Sequence, residues 1–308
     1  MAGTVFQYAE LTATQMAELD RKHTLVLMAL SPLEVHGPHL PAGTDVLVAQ
    51  ELQRRAMDKV RERWPEIDFL VLPPAFIGAD TVPAVPSVDV DSRAIYYLLL
   101  ATGRSLAEQG FRTLLLTDNH GGPRHQIAIE KAVRRLYRQH SLALVAPFNR
   151  LYRRMVEHDP RLLSETGTAP GSCGDDADSH AGTNETSLML VTAPDLIAPA
   201  WKTLPRTAVP QDAPQKRLWN RVASLVGRLG GSRLAGDLVH LGNMLGWLGM
   251  EPMPTYMGGP AEASAEAGER MLEAHAAEAM TMLEEAWSGV PPFSEPLLWS
   301  LRFIERSR

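Results

Sequence analysis

The sequence predicts an α/β protein whose mainly parallel sheet is covered by helices on both faces, and three observations lead there. Short apolar runs bounded by turn residues recur along the first half of the chain. Longer amphipathic stretches separate them, and the two kinds alternate strand, helix, strand, helix. Strands joined through helices pair in parallel by right-handed crossovers, and ligands of such sheets gather at the C-terminal strand ends.

In chain order, TLVLMAL (24–30), DFLVL (68–72), TLLLT (113–117) and LALVA (142–146) are the expected strands. Helices are expected over 13–20, 45–63, 92–109, 125–140, 185–191, 215–229 and 263–287. The stretch 199–260 is dense in proline and glycine around one expected helix, so it reads as an insertion in a single domain of residues 1–308, serving as a lid or an oligomerisation segment.

Composition narrows the function. Hydrophobic residues make up 45% of the 308 and charged residues 21%, the mix of a globular chain with a packed core. The net charge of -6, without a Lys/Arg cluster, argues against nucleic acid or an anionic membrane as partner and leaves a small-molecule substrate. Cys173 is the only cysteine, which excludes an internal disulfide and a multi-thiolate metal site, so a bound metal would take nitrogen and oxygen ligands. The first twenty residues carry neither a basic nor an apolar signal region, and no apolar run reaches membrane-spanning length, so a cytoplasmic location is expected.

Three polar clusters could carry chemistry. In LEVHGPHLPAGTD, Glu34 and His36 are two apart and point the same way in an extended segment, while Asp45 returns at the start of the next helix, where a carboxylate also suits the helix dipole. His39 is expected to hydrogen-bond within the Gly37-Pro38 turn. In TDNHGGP, His120 follows a strand, and Asp118 either orients it or caps the turn. In GDDADSHAGTNETSLML, Asp178, His180 and Glu185 run into a helix start. Each cluster alone reads as an ordinary rim, turn or cap. Together, two histidines, two glutamates and an aspartate at strand ends form the N/O donor set of Zn²⁺ or Mn²⁺, and such ions lower the pKa of a water and polarise a carbonyl. His180 would then serve as a proton shuttle.

These residues resemble the creatininase family. Glu34-Val35-His36-Gly37-Pro38-His39-Leu40-Pro41 with Gly43-Thr44-Asp45 is similar to its motif E-Q-H-G-P-H-L-P-L-x-T-D. Asp118-Asn119-His120-Gly121-Gly122-Pro123 is similar to N-G-H-G-G-N, and His180-Ala181-Gly182-Thr183-Asn184-Glu185-Thr186-Ser187 matches H-A-G-x-x-E-T-S in full. A weaker C-terminal likeness lies in Gly259-Pro260 and 263–268. The resemblance implies a three-layer α/β/α sandwich and two divalent ions, zinc and/or manganese with iron also compatible. It implies Glu34, His36, Asp45, His120 and Glu185 as metal ligands with Asp45 bridging, and His180 as the acid/base. Asp118, His39 and Asp178 are expected in supporting or substrate-contacting roles. A homo-oligomer, a hexamer in the family, is implied as well.

The departures bear on substrate. The stretch IGADTVPAVPSVDV (77–90) lacks the family's E-H-x-x-F-P-G-T, and no tryptophan lies in 151–200, where creatininase carries site-closing tryptophans. Gly122 stands where creatininase proper has a metal-binding glutamate, which leaves Glu185 to supply the last ligand. The expected activity is hydrolysis of a C–N bond in a small, cyclic or related amide, with C–C hydrolysis of a cyclic ketone such as a keto-inositol as the alternative. A non-catalytic metal- or ligand-binding protein on the same fold is the reading from another class.

Overall fold

The computed structural model describes residues 3–171 and 177–303. Cys173 lies outside the described residues. Its chain divides into two compact units, residues 1–34, 42–151 and 272–295 in the first and 35–41, 152–271 and 296–308 in the second.

The first unit carries a six-stranded parallel sheet, in the order β1 (Val5–Gln7), β3 (Asp68–Val71), β2 (Thr24–Ser31), β5 (Thr113–Thr117), β6 (Ala143–Val145), with β4 (Ala75–Phe76) paired to the end of β2. β2 is buried along its whole length because both sheet faces are covered. Its side chains alternate with the period of two that a strand imposes. Val26, Met28 and Leu30 join Leu114, Leu116 and Leu144 in one core, under Ile95 and Leu99 of α3 (Ser92–Glu108) and Ile129, Val133 and Leu136 of α4 (Pro123–His140). Leu25 and Leu27 join Phe69, Leu115 and Val145 in the other, under Ala56 and Val60 of α2 (Thr44–Arg63) and Ala279, Met282 and Leu283 of α10 (Ala265–Trp287). The expected three layers, helix, sheet, helix, are therefore present. The short α1 (Ala13–Glu18) begins with a capping box between Thr12 and Gln15.

The second unit is helical. It contains α6 (Pro160–Thr166), α7 (Thr183–Thr192), α8 (Pro214–Arg228) and α9 (Ser232–Leu248). α5 (Pro147–Val156) follows β6. Where the sequence suggested one helix in 199–260, there are two, packed as a hairpin. The glycines of SRLAGDLVHLGNMLGWL read as breakers, but Gly242 and Gly246 are contact points. A Cβ on Gly242 would meet Trp219 of α8 at 2.8 Å, and one on Gly246 would meet Val209 at 2.7 Å. β1, β4, α5 and α6 were also not expected; two of these are strands of three residues or fewer, too short to show a period. Among the described residues, no helix is long and apolar enough to cross a membrane.

His275 of α10 is buried in the first unit with its ring tilted 6.3 Å from that of Phe148, and burial pulls its pKa down to about 3. The folded protein thus keeps it neutral, whereas the unfolded chain binds a proton below about pH 6.5. Stability is full above that pH and is lost as pH falls toward the folded value. Thermal unfolding of His275→Leu should show a melting temperature that gains on the wild type between about pH 7 and pH 4; an offset independent of pH would mean that the imidazole is charged in the fold.

Candidate metal centre

Two of the histidines of interest, His120 and His180, are each oriented by a main-chain carbonyl. In the first unit, β2 ends at Ser31 and delivers Glu34, β5 ends at Thr117 and delivers His120, and α2 places Asp45 in its first turn. All three are buried. Nε2 of His120 lies 2.9 Å from the carbonyl oxygen of Ala79, which can only accept, so Nε2 carries the proton and Nδ1 is left with its lone pair. That nitrogen faces Oε2 of Glu34 at 3.1 Å and Oδ2 of Asp45 at 3.6 Å. Lone pairs from two carboxylates and one imidazole converge there, and either a proton on Nδ1 or a metal ion relieves their repulsion. Burial disfavours the imidazolium, yet the two carboxylates outweigh it and hold the His120 pKa well above its ordinary value, so a proton and a metal compete for the same place.

The carboxylates are held from behind. The Val82 amide donates to Oε1 of Glu34, and the Asn119 side-chain amide donates to Oδ1 of Asp45 at 3.2 Å. Asp118 does not touch the His120 ring. Its Oδ1 accepts from Ser31 and from the amides of Asn119 and His120, while its Oδ2 accepts from His125 and Gln126. It therefore fixes the turn that aims His120, a supporting role exerted through the backbone.

In the second unit, His36, His180 and Glu185 meet. Nε2 of His180 donates to the Val35 carbonyl at 2.7 Å, which leaves its Nδ1 unprotonated, 3.9 Å from Oε2 of Glu185. The same carboxylate oxygen is 3.7 Å from Nε2 of His36 and accepts from the Ala181 amide. The His36 and His180 rings lie 4.4 Å apart. On its other side His180 has the indole of Trp247 at 5.4 Å, a tryptophan from α9 and from the stretch read as an insertion. That stretch also supplies backbone. Met257 exchanges hydrogen bonds with His180, and the Gly37 amide donates to Thr255 at 2.8 Å.

His39 and Asp178 hold the scaffold. His39 is 2.9 Å from the Thr186 hydroxyl of α7, a bond to another element in place of the expected one within the Gly37-Pro38 turn, and burial pushes its pKa down to about 4. Asp178 is a helix cap, accepting from the Thr183 and Asn184 amides at the start of α7, where the N-cap position itself is Gly182. Burial raises its pKa to about 7 against the pull of those two amides.

Buried His/Asp/Glu clusters suited to a divalent cation are thus present, with hard-to-borderline donors; the ligand atoms of Glu34, Asp45 and His120 lie within 4.8 Å of one another. Of the five expected ligands, Glu34, Asp45 and His120 belong to the first unit and His36 and Glu185 to the second. Residues not anticipated are Ala79 and Val82, which act through main-chain atoms and have no side-chain signature, Asn119, and Trp247, which sits 67 residues from His180 in the sequence.

A family model described as "Creatininase: Creatinine amidohydrolase" matches residues 9–283. Curated relatives include two proteins named mycofactocin precursor peptide peptidase. That of Mycobacterium ulcerans is 29% identical over 192 residues, covering 61% of this chain and 66% of the relative. That of Mycolicibacterium smegmatis is 29% identical over 180 residues, covering 56% and 61%. The chain thus spans just under two thirds of the length of these relatives. Similar solved structures include a creatinine amidohydrolase candidate from Bacteroides fragilis, with a TM-score of 0.60 and 21% identity over 91% of this chain and 95% of the other. A manganese form of creatininase has a TM-score of 0.56 and 20% identity over 91% and 98%. At these identities the structural likeness bears on the fold alone.

The cap on α7 can be tested. A Cβ on Gly182 would lie 1.9 Å from Oδ1 of Asp178 and 2.8 Å from the Met257 carbonyl, so the glycine makes room for the capping carboxylate. Gly182→Ala should cost about 1–3 kcal/mol in denaturant unfolding, the range for leaving buried polar groups without their bonds. A variant as stable as the wild type would show that Asp178 does not cap α7.

Proposed function

Because the chain belongs to the creatininase family, we propose that it is a metal-dependent hydrolase that cleaves an amide C–N bond, with a peptide as the substrate class. The observation that carries this reading is the buried group of Glu34, Asp45 and His120, whose lone pairs converge with a metal-ligand geometry. The relatives named as peptide peptidases favour a peptide over the small cyclic amide, and the likeness to creatininases keeps the cyclic amide in the assay.

On this reading Glu34, Asp45 and His120 of the first unit, and His36 and Glu185 of the second, are the residues that would hold divalent ions. Glu34 and His36, two residues apart, tie the two ligand groups to one short segment of chain. When bound, the ions supply an acidified water and a polarised amide carbonyl. The chain's own residues do the rest. Ala79 and Val35 hold the two imidazoles in the tautomer that presents Nδ1. Nδ1 of His180 takes the proton that water loses on adding to the carbonyl carbon. It returns that proton to the amide nitrogen as the C–N bond breaks, giving a carboxylate and an amine. Glu185, 3.9 Å away, stabilises the transient imidazolium.

Protein loaded with Zn²⁺ or Mn²⁺ should bind about two equivalents. It should hydrolyse members of a panel of short peptides or creatinine, lose that activity on dialysis against a chelator and regain it with metal. Absence of hydrolysis across the panel by the loaded protein, or activity indifferent to chelation, overturns the reading in favour of a binding protein. His180→Gln should keep its metal content and lose about 10²–10⁴-fold in kcat; an unchanged kcat would remove His180 from proton transfer.

A further inference from the structure

α9 presents two distinct faces. Gly242 and Gly246 form the one packed on α8. The other carries His240, Asn243 and Trp247, spaced three and four apart and so aligned on one side of the helix. Both ends of this stripe have known neighbours. The His240 ring lies 6.2 Å from that of Tyr152, and Trp247 lies 5.4 Å from His180, with its indole N–H anchored on the Pro254 carbonyl at 2.8 Å. Asn243 lies between them. It is 4% exposed, yet neither its carboxamide oxygen nor its carboxamide nitrogen has a hydrogen-bond partner among the described residues.

A buried carboxamide without partners is costly unless a water or a ligand meets it. Asn243 is also one helical turn from the tryptophan that faces the proposed acid/base. The same helix lines, through Gly236, Asp237 and His240, a cavity of about 640 Å³, and Asn243 stands about one turn beyond His240 on the same stripe. A primary carboxamide offers one acceptor and a donor pair side by side, complementary to the C=O and N–H of an amide.

We propose that Asn243 is a specificity residue that binds an amide group of the substrate, its carboxamide donating to the substrate carbonyl and accepting from the substrate N–H, with Trp247 as the neighbouring apolar wall. This deepens the peptide reading above and rests on it for the identity of the reaction, though not for the binding. A site built to hydrogen-bond its ligand discriminates sharply against groups that cannot make the bonds.

The test uses Asn243→Leu, which keeps the volume and removes both hydrogen-bonding groups, and Asn243→Ala as a second variant in case the first packs poorly. Melting temperature is read with and without millimolar acetyl-dialanine amide, and KM and kcat on any panel peptide that the metal-loaded wild type cleaves. The inference expects Asn243→Leu to be as stable as the wild type or more so. It expects the probe to raise the melting temperature of the wild type but of neither variant, and kcat/KM to fall about 10- to 100-fold, chiefly through KM. It is overturned if the variants lose stability while binding the probe as the wild type does, if the probe shifts none of the proteins, or if KM is unchanged. A probe shift that depends on Asn243, in a protein that hydrolyses no amide, would sink the hydrolase reading and leave this one standing.

Discussion

Two main-chain carbonyls set the chemistry of both ligand groups. Ala79 takes the Nε2 proton of His120, and Val35 takes that of His180. An imidazole with Nε2 committed in this way has Nδ1 as its remaining lone pair, and in both cases that atom looks toward carboxylate oxygen. Were either carbonyl displaced, the ring could flip or change tautomer, and the same residues at the same positions would present a donor instead of a lone pair. The strand ends, the Asp118 turn and the bonds between Met257 and His180 all serve to keep these two contacts in place.

The parts of the fold that were legible in the sequence are those where one physical signal dominates. The four long strand runs were found because a strand buried on both faces has no polar alternation to confuse it, and TLVLMAL is such a run. The helix from Thr44 was found to within a residue because the turn residues before it and the apolar period after it agree. α9 was missed because glycine carries opposite meanings. At Gly242 and Gly246 it marks the close approach of α8, and sequence alone cannot separate that from a break.

The candidate site divides in the same way. Glu34, His36, Asp45, His120, His180 and Glu185 were legible because ligand chemistry needs particular side chains at fixed offsets from strand ends and helix starts. The groups that orient them were not, because Ala79, Val35 and Val82 contribute main-chain atoms that any residue could supply. Trp247 was invisible for another reason. The missing tryptophans in 151–200 bore on creatinine as a substrate, and the indole that lies beside His180 comes from a helix outside the family motifs.

That replacement bears on how the fold accommodates a new substrate. The residues that set tautomer and charge sit on the sheet's rim and on α7, where their positions are fixed by strand ends and by the Asp178 cap. Those that would contact the rest of a ligand sit on α9, whose opposite face rests on α8 through glycine contacts. Substitutions on the outward stripe of α9 therefore change shape and hydrogen bonding beside His180 without moving its Nε2 bond to Val35. Buried polar atoms on such a stripe are costly unless a ligand or a water satisfies them. Asn243, with both ends of its carboxamide unmet among the described residues, is the kind of residue expected where substrate recognition, and not the stability of the fold, has set the side chain.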